Sequence, residues 1–245
     1  MNETTMRKRA SLLESAVLKL FTRNANVLSV EDIGRNFRLI TLGGDALKNV
    51  QWTPGDKLQI QLGGWVQRTY TPMEWDAENG LTRILAYRHG DGPGANWSRA
   101  LRTGEGCIVF GPRKSIDLTR LRFSDAVLFG DETSFGLAVA RVNATPPEKT
   151  HLFFEVSSMA ESKAVLARLG LGESNIHERA DNDAQQLALA EKMKAVLQAK
   201  PDASVVLSGK ASSIQHMRQL LKRLSIGSNR FQSKAYWAPG KKGLE

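Results

Sequence analysis

The chain has a single cysteine and four histidines among 245 residues. One thiol excludes an intramolecular disulfide framework, and its place in the apolar run Cys107-Ile108-Val109-Phe110 reads as a buried structural side chain. His89, His151, His177 and His216 are scattered without the spacing of metal ligands, so no resident metal is expected. Long apolar runs are missing as well. The basic start Met6-Arg7-Lys8-Arg9 is followed by a stretch that Glu14 and Lys19 interrupt before a signal-type apolar region accumulates, and no later run reaches membrane-spanning length. Internal repeats and low-complexity segments are also lacking. These absences predict a cytoplasmic protein without stable membrane insertion.

What is present is an ordinary globular balance, 41% hydrophobic and 24% charged residues, in a length that suits one large domain or two of ordinary size. Leu12, Leu13, Ala16, Val17, Leu20 and Phe21 form the apolar stripe of a helix, so residues 1–24 read as a helical extension that docks on the protein body, with membrane-surface contact as the minor alternative. The net charge of +9 demands a partner of opposite sign. Nucleic acid is one candidate, but the basic residues are not interleaved with the aromatic set of an RNA-binding sheet or with a helix-turn-helix. A cationic cleft that concentrates an acidic small molecule explains the charge more economically, and nucleic acid is not expected.

The hydrophobic pattern changes along the chain. From about Asn26 to Leu118 short alternating runs are separated by turns such as Gly43-Gly44-Asp45, Trp52-Thr53-Pro54-Gly55-Asp56 and Glu78-Asn79-Gly80, the pattern of a small antiparallel barrel. Beyond Phe123 the runs Ala126-Val127-Leu128-Phe129, Thr150 to Val156 and Ser204-Val205-Val206-Leu207 are continuous and separated by helical stretches, as in a parallel sheet with crossover helices. The link between the two halves is expected between Asp117 and Phe123.

Two segments carry chemistry. Arg68-Thr69-Tyr70-Thr71-Pro72 extends the strand pattern of Gln59-Ile60-Gln61-Leu62. Alternation places Arg68 and Tyr70 on one face, and Thr69 and Thr71 on the other. A guanidinium grips a phosphate through two parallel hydrogen bonds, Tyr70 offers a flat face for a ring system, and Thr71 can bond a ring nitrogen. The competing reading is an ordinary strand with a surface arginine. The second segment, His89-Gly90-Asp91-Gly92-Pro93-Gly94-Ala95-Asn96-Trp97, is a glycine-rich turn running into a helix start, where backbone N–H groups can approach a diphosphate. A solvated turn is its competing reading, and its spacing is not that of the dinucleotide fingerprint of a βαβ unit. Further on, Asp131 and Glu132 follow a buried-type strand, either as a helix N-terminal signal or as part of a site at the carboxyl edge of the parallel sheet.

Taken together these segments resemble the FAD-binding domain of the siderophore-interacting protein family, which includes ferric-siderophore reductases distantly related to ferredoxin–NADP reductases. The resemblance rests on Arg68-Thr69-Tyr70-Thr71, on His89 to Trp97, on Gly111-Pro112-Arg113, on Gly130-Asp131-Glu132-Thr133, and on the strand ends Ser208-Gly209-Lys210 and Tyr236-Trp237-Ala238-Pro239-Gly240. Three departures stand out. Met73 replaces the family's second arginine, Gly94 is inserted between proline and alanine, and Lys210 takes the place of a common acidic residue.

The resemblance implies a six-stranded antiparallel Greek-key FAD-binding barrel over residues 25–120 and an α/β, NAD(P)H-binding-like domain over 121–245, whose C-terminal segment closes on the flavin. It implies Arg68, Tyr70, Thr71, His89, Gly92, Gly94, Ala95, Trp97, Asp131 and Thr133 as cofactor-binding residues, and Lys234, Lys241 and Lys242 as contacts for an anionic ferric siderophore. No acid–base residue is implied. NADPH or NADH is the expected electron donor, a ferredoxin-like protein the alternative suggested by Lys210, and the protein is expected to be a monomer. Two other readings remain: a general NAD(P)H:flavin or quinone reductase on the same scaffold, and a basic module that binds a siderophore or nucleic acid without redox chemistry.

Overall fold

Seven antiparallel strands build the first half of the protein in a computed structural model that describes residues 22–63, 66–121, 124–179 and 183–241. In chain order they are β1 (Thr22–Ile33), β2 (Phe37–Gly43), β3 (Lys57–Gly63), β4 (Val66–Tyr70), β5 (Pro72–Asp76), β6 (Leu81–Tyr87) and β7 (Gly106–Arg113), with helix α1 (Pro93–Ala100) between the last two. The sheet order is β4-β3-β7-β1-β2-β6-β5. Its two edges, β4 and β5, are consecutive in sequence and separated by Thr71 alone, so the sheet must curl on itself for one extended run to serve both edges.

That run explains the strand count. Six strands were expected and seven are present, because the stretch from Val66 to Asp76 is broken at Thr71-Pro72. Proline has no N–H for the ladder, and β5 starts with it, pairing Pro72 with Ile84, while Tyr70 on the other side pairs with Leu58. The first strand begins at Thr22, so the three last residues of the expected helical extension are strand. Residues 1–21, on which the rest of that expectation falls, lie outside the described residues.

The second half is a parallel sheet of order β10-β9-β8-β11-β12, comprising β8 (Ala126–Gly130), β9 (Thr150–Val156), β10 (Asn175–Glu178), β11 (Ser204–Lys210) and β12 (Phe231–Trp237). Its crossovers carry α2 (Phe135–Ala144), α3 (Met159–Arg168), α4 (Asp183–Ala199) and α5 (Ala211–Arg223). β8 is buried along its whole length, as a central strand covered on both faces must be. Among the described residues no helix is long and apolar enough to cross a membrane.

The halves share a core. Ile33, Phe37, Leu39 and Met73 of the barrel pack with Leu128, Phe135 and Phe154 of the parallel-sheet half. The Phe37 and Phe135 rings stack 5.5 Å apart, and Phe135 meets Phe154 edge-on at 4.8 Å. Met73 is fully buried at this seam. An arginine confined to this apolar cluster would lose its hydration, which suits methionine at this position. Cys107 is buried in the barrel core, and burial pushes its thiol up to about 11.

Arg141 of α2 holds the link between the halves. Its fully buried guanidinium donates to the carbonyls of Leu121 at 2.7 Å and Ser124 at 2.8 Å, and burial lowers its pKa to about 10. Glu161 of α3 reaches the β1–β2 turn, where its carboxylate accepts from the N–H groups of Arg35 and Asn36 and from Asn36 Nδ2.

Candidate flavin cleft

A cleft of about 440 Å³ opens where β4, the start of α1, the start of α2 and the end of β12 converge. Its size falls in the usual range of small-molecule sites. Gln67, Arg68, Thr69, Tyr70 and Thr71 all line it. The expected segregation of these side chains onto two faces does not matter here, because β4 is an edge strand and both of its sides reach the opening.

Arg68 directs its Nη1 to the carbonyl of Gln67 at 2.7 Å and lies against the backbone of Gly94. A Cβ on Gly94 would stand 3.0 Å from Arg68 Cγ. Glycine at this position leaves room for the Arg68 stem beside the first turn of α1. Gly92 is the N-cap of that helix, with Pro93 inside the first turn, and no side chain caps it. Helix N–H groups in the first turn have no intrahelical partner, so this end favours an anion. Gly90 takes a positive φ of 61°, whereas Gly92 is extended. A Cβ at Gly92 would meet nothing within 4 Å. The space in front of Gly92 is thus open, and its extended backbone does not itself require glycine.

Tyr70 is backed by Trp97, whose ring centre is 5.9 Å away. Trp97 does not line the cleft; it supports the residue that does. Burial pushes the Tyr70 hydroxyl pKa up. Thr71 Oγ1 lies 3.3 Å from the hydroxyl of Tyr236, whose pKa burial raises to about 12. The carbonyl of Thr71 faces Gly136 at the start of α2, where a Cβ would come within 3.1 Å.

The third wall is aromatic. Tyr87, His89 and Trp237 succeed one another at 5.8 and 5.3 Å between ring centres. Burial lowers the His89 pKa below its ordinary 6.5, which favours the neutral imidazole. Trp237 is flanked by two cations, Arg179 at 5.9 Å and Lys210 at 5.8 Å from its ring centre.

Asp131, expected among the cofactor contacts, is not one of the residues that line the cleft. Its carboxylate is buried beneath the cleft and its lone pairs are taken: Oδ1 accepts from the N–H and hydroxyl of Thr133, and Oδ2 accepts from Lys210 N–H and Trp237 Nε1–H, both at 2.8 Å. It caps the turn Glu132–Ser134 and ties the end of β11 to Trp237. Burial outweighs these donors and raises its pKa to about 6. Thr133, by contrast, reaches the cleft.

Ala95, Lys234 and Lys241 line the cleft, while Lys242 lies outside the described residues. Several lining residues were not singled out from sequence: Gln67, Tyr87, Ser115 and Gly136. Beside them at the carboxyl edge of the parallel sheet sits an ion network that no local motif announces. Arg179 bridges the buried carboxylates of Glu132 at 2.7 Å and Glu155 at 3.4 Å, and Glu132 also accepts from Tyr87 and the N–H of Ser157. Among the described residues no cluster of His, Cys, Asp or Glu could hold a metal ion.

Comparison with known proteins agrees with this geometry. Residues 64–116 match the siderophore-interacting FAD-binding domain, and residues 123–240 match the family described as siderophore-interacting protein. The fold is shared with a siderophore utilization protein from T. fusca, 23% identical, with a TM-score of 0.70 over 91% of this chain and 95% of that one. It is also shared with the siderophore-interacting protein of Aeromonas hydrophila, 19% identical, at 0.71 over 90% and 93%. Phthalate dioxygenase reductase, described as modular for electron transfer from pyridine nucleotides to a [2Fe-2S] centre, is 16% identical and aligns at 0.71 over 90% of this chain and 70% of its own. With its two halves matched in order by the two descriptions, this chain belongs to the siderophore-interacting protein family.

Proposed function

We propose that the protein is an FAD-dependent ferric-siderophore reductase that lowers iron(III) to iron(II) in an anionic chelate and so releases it. The observation that carries this reading is the convergence in one cleft of Arg68, the uncapped start of α1 and the supported ring of Tyr70. The chemistry that FAD would supply when bound is a store for the two electrons of one hydride from NADPH or NADH, or for electrons from a ferredoxin-like protein, released singly to iron. The residues present fit that group: Arg68 and the N–H groups of the Gly92–Ala95 turn suit a diphosphate, Tyr70 a ring face, and Thr71 a ring-edge hydrogen bond.

The chain's own work is to hold and enclose. Tyr236 and Trp237 of β12 cover the parallel-sheet side of the cleft, with Asp131 fixing the indole. Lys234 and Lys241 make the mouth positive and attract an anionic chelate. No side chain needs to move a proton to iron, because iron(II) binds hard oxygen ligands less tightly than iron(III) and the chelate loosens on reduction alone. The test is to supply FAD to the purified protein, add NADPH or NADH with a ferric catecholate or hydroxamate, and follow iron(II) with a trapping chelator. Iron(II) formation that requires protein, FAD and donor together supports the reading. Turnover of free flavin or quinone without turnover of any ferric chelate would replace it with a general flavin reductase.

A further inference from the structure

The glycine loop and α1 are held at both ends by one carboxylate that lies outside the cleft. Asp32, near the end of β1, receives Arg38 as a fork, with Nε 2.9 Å from Oδ1 and Nη2 2.8 Å from Oδ2. Arg88 brings its Nη1 to the same Oδ1 at 2.9 Å. Both guanidinium side chains are only 10% exposed.

Each arginine governs one end of the loop. Arg88 immediately precedes His89; its N–H donates to the carbonyl of Asn36 at 2.7 Å and its Nη2 to the carbonyl of Arg35 at 2.6 Å, which pins the loop's entry to the β1–β2 turn. Arg38 works at the exit. Its Nη1 donates to the carbonyls of Ser98 at 2.6 Å, Leu101 at 3.1 Å and Arg99 at 3.3 Å, in the last turn of α1 and just beyond. Carbonyls at a helix C-terminus have no intrahelical partner, and a cation there also complements the helix dipole. Between these two anchors the loop is tied to its own helix, with Arg99 Nη2 donating to the Gly90 carbonyl at 2.8 Å, Arg99 Nη1 to Asp91 Oδ1 at 3.4 Å and Asn96 Nδ2 to the Asp91 carbonyl at 3.3 Å, so loop and α1 form one piece. The place of Gly92–Ala95 relative to Arg68 is therefore set by its ends.

We propose that Asp32, acting through Arg38 and Arg88, is the positioning residue of the diphosphate cradle: it touches no cofactor, and it fixes where the start of α1 stands opposite Arg68. The inference rests on the reading of the cleft as the FAD site. The arrangement also explains why two arginines that do not line the cleft are gathered in the barrel. The Arg38 fork holds the Asp32 carboxyl below the ordinary carboxylate range, in keeping with a permanently ionised anchor.

The experiment compares wild type with Asp32→Asn, Arg38→Lys and the control Glu31→Gln, whose partner Arg168 lies at the surface 3.1 Å away. FAD is titrated into each apo protein by fluorescence, and hydrogen exchange of the amides in 92–97 is read without FAD. Asp32→Asn should weaken FAD binding roughly tenfold and speed exchange in 92–97 while the barrel strands stay protected. Arg38→Lys should change both in the same direction, because an ammonium cannot serve the carboxylate and three carbonyls together. Glu31→Gln should match wild type. Unchanged affinity and exchange in both Asp32→Asn and Arg38→Lys would overturn the proposal, and Arg38→Lys alone decides if Asp32→Asn does not fold. Failure of wild type to take up FAD would instead overturn the functional reading, leaving the exchange comparison to judge the positioning role.

Discussion

Replacing Arg68 with alanine tests the diphosphate site at its strongest point. Two backbone features hold the guanidinium: Nη1 donates to the Gln67 carbonyl at 2.7 Å, and Gly94 leaves room where a Cβ would stand 3.0 Å from Cγ. Among the described residues Arg68 has no carboxylate partner, so its charge is available to a ligand, and its removal should cost the folded apo protein little. A hydrogen bond to a charged group is worth about 1.5–3 kcal/mol. At about 1.4 kcal/mol per tenfold change, FAD affinity should fall by one to two orders of magnitude. Arg68→Lys should recover only part, since a point charge does not reproduce the fork. The assay is fluorescence titration of apo protein with FAD at low and high ionic strength, beside a thermal melt of each apo form. Wild-type affinity should weaken with salt more than that of the alanine variant. Unchanged FAD affinity in Arg68→Ala, with a normal melt, would place the diphosphate elsewhere and refute the reasoning.

Three further outcomes are expected. Gly92→Val adds a side chain into space that the protein leaves empty, so apo stability should fall by about 1 kcal/mol or less while FAD occupancy drops sharply; full occupancy by absorbance would reduce the loop to a surface turn. Replacing Lys234 and Lys241 with Gln should leave FAD content unchanged but raise the apparent KM for an anionic ferric chelate at low salt, with a neutral chelate much less affected; a KM for the anionic chelate equal to that of wild type would remove the lysines from substrate binding. Asp131 supplies a pH signature. Burial raises its folded pKa to about 6 from 3.8, so the folded state holds the proton more tightly, and this group's contribution to stability is greatest below about pH 4 and lost as pH rises through 6. Urea melts should show the difference between wild type and Asp131→Asn moving in wild type's favour on going from pH 7.5 to about pH 4, and a difference independent of pH would contradict that sign.

The parts of the site legible in the sequence were those made by contiguous residues. Arg68 to Thr71 alternate on one strand, and Gly90 to Ala95 announce a turn and helix start; each left an ordinary strand or a solvated turn open, and the family resemblance joined them into one expected wall. The split of β4 from β5 at Pro72 was less visible, because a proline permits either a strand end or an edge. What the sequence could not show was long-range. Asp131 follows a strand just as a site carboxylate would, but its oxygens are spent on Lys210 N–H and Trp237 Nε1, partners 79 and 106 positions away in the chain. The Asp32, Arg38 and Arg88 cluster and the Arg179 bridge escaped for the same reason: each charge reads locally as a solvated surface residue, and only the meeting of separate elements buries it. Trp97, implied as a cofactor contact by the resemblance, stands behind Tyr70 rather than in the cleft lining, a placement that only the packing of α1 on β4 decides.

The central claim is that electrons stored on protein-bound FAD reduce iron in a chelate, and single-turnover mixing tests it most directly. FAD-loaded protein is reduced without oxygen, separated from excess donor and mixed with a ferric siderophore while flavin absorbance and trapped iron(II) are followed together. The account predicts that the oxidised flavin spectrum returns in step with iron(II), and faster than on mixing with buffer or with the iron-free chelator. Reduced, FAD-loaded protein that is reoxidised no faster by ferric catecholates or hydroxamates than by those controls would contradict it.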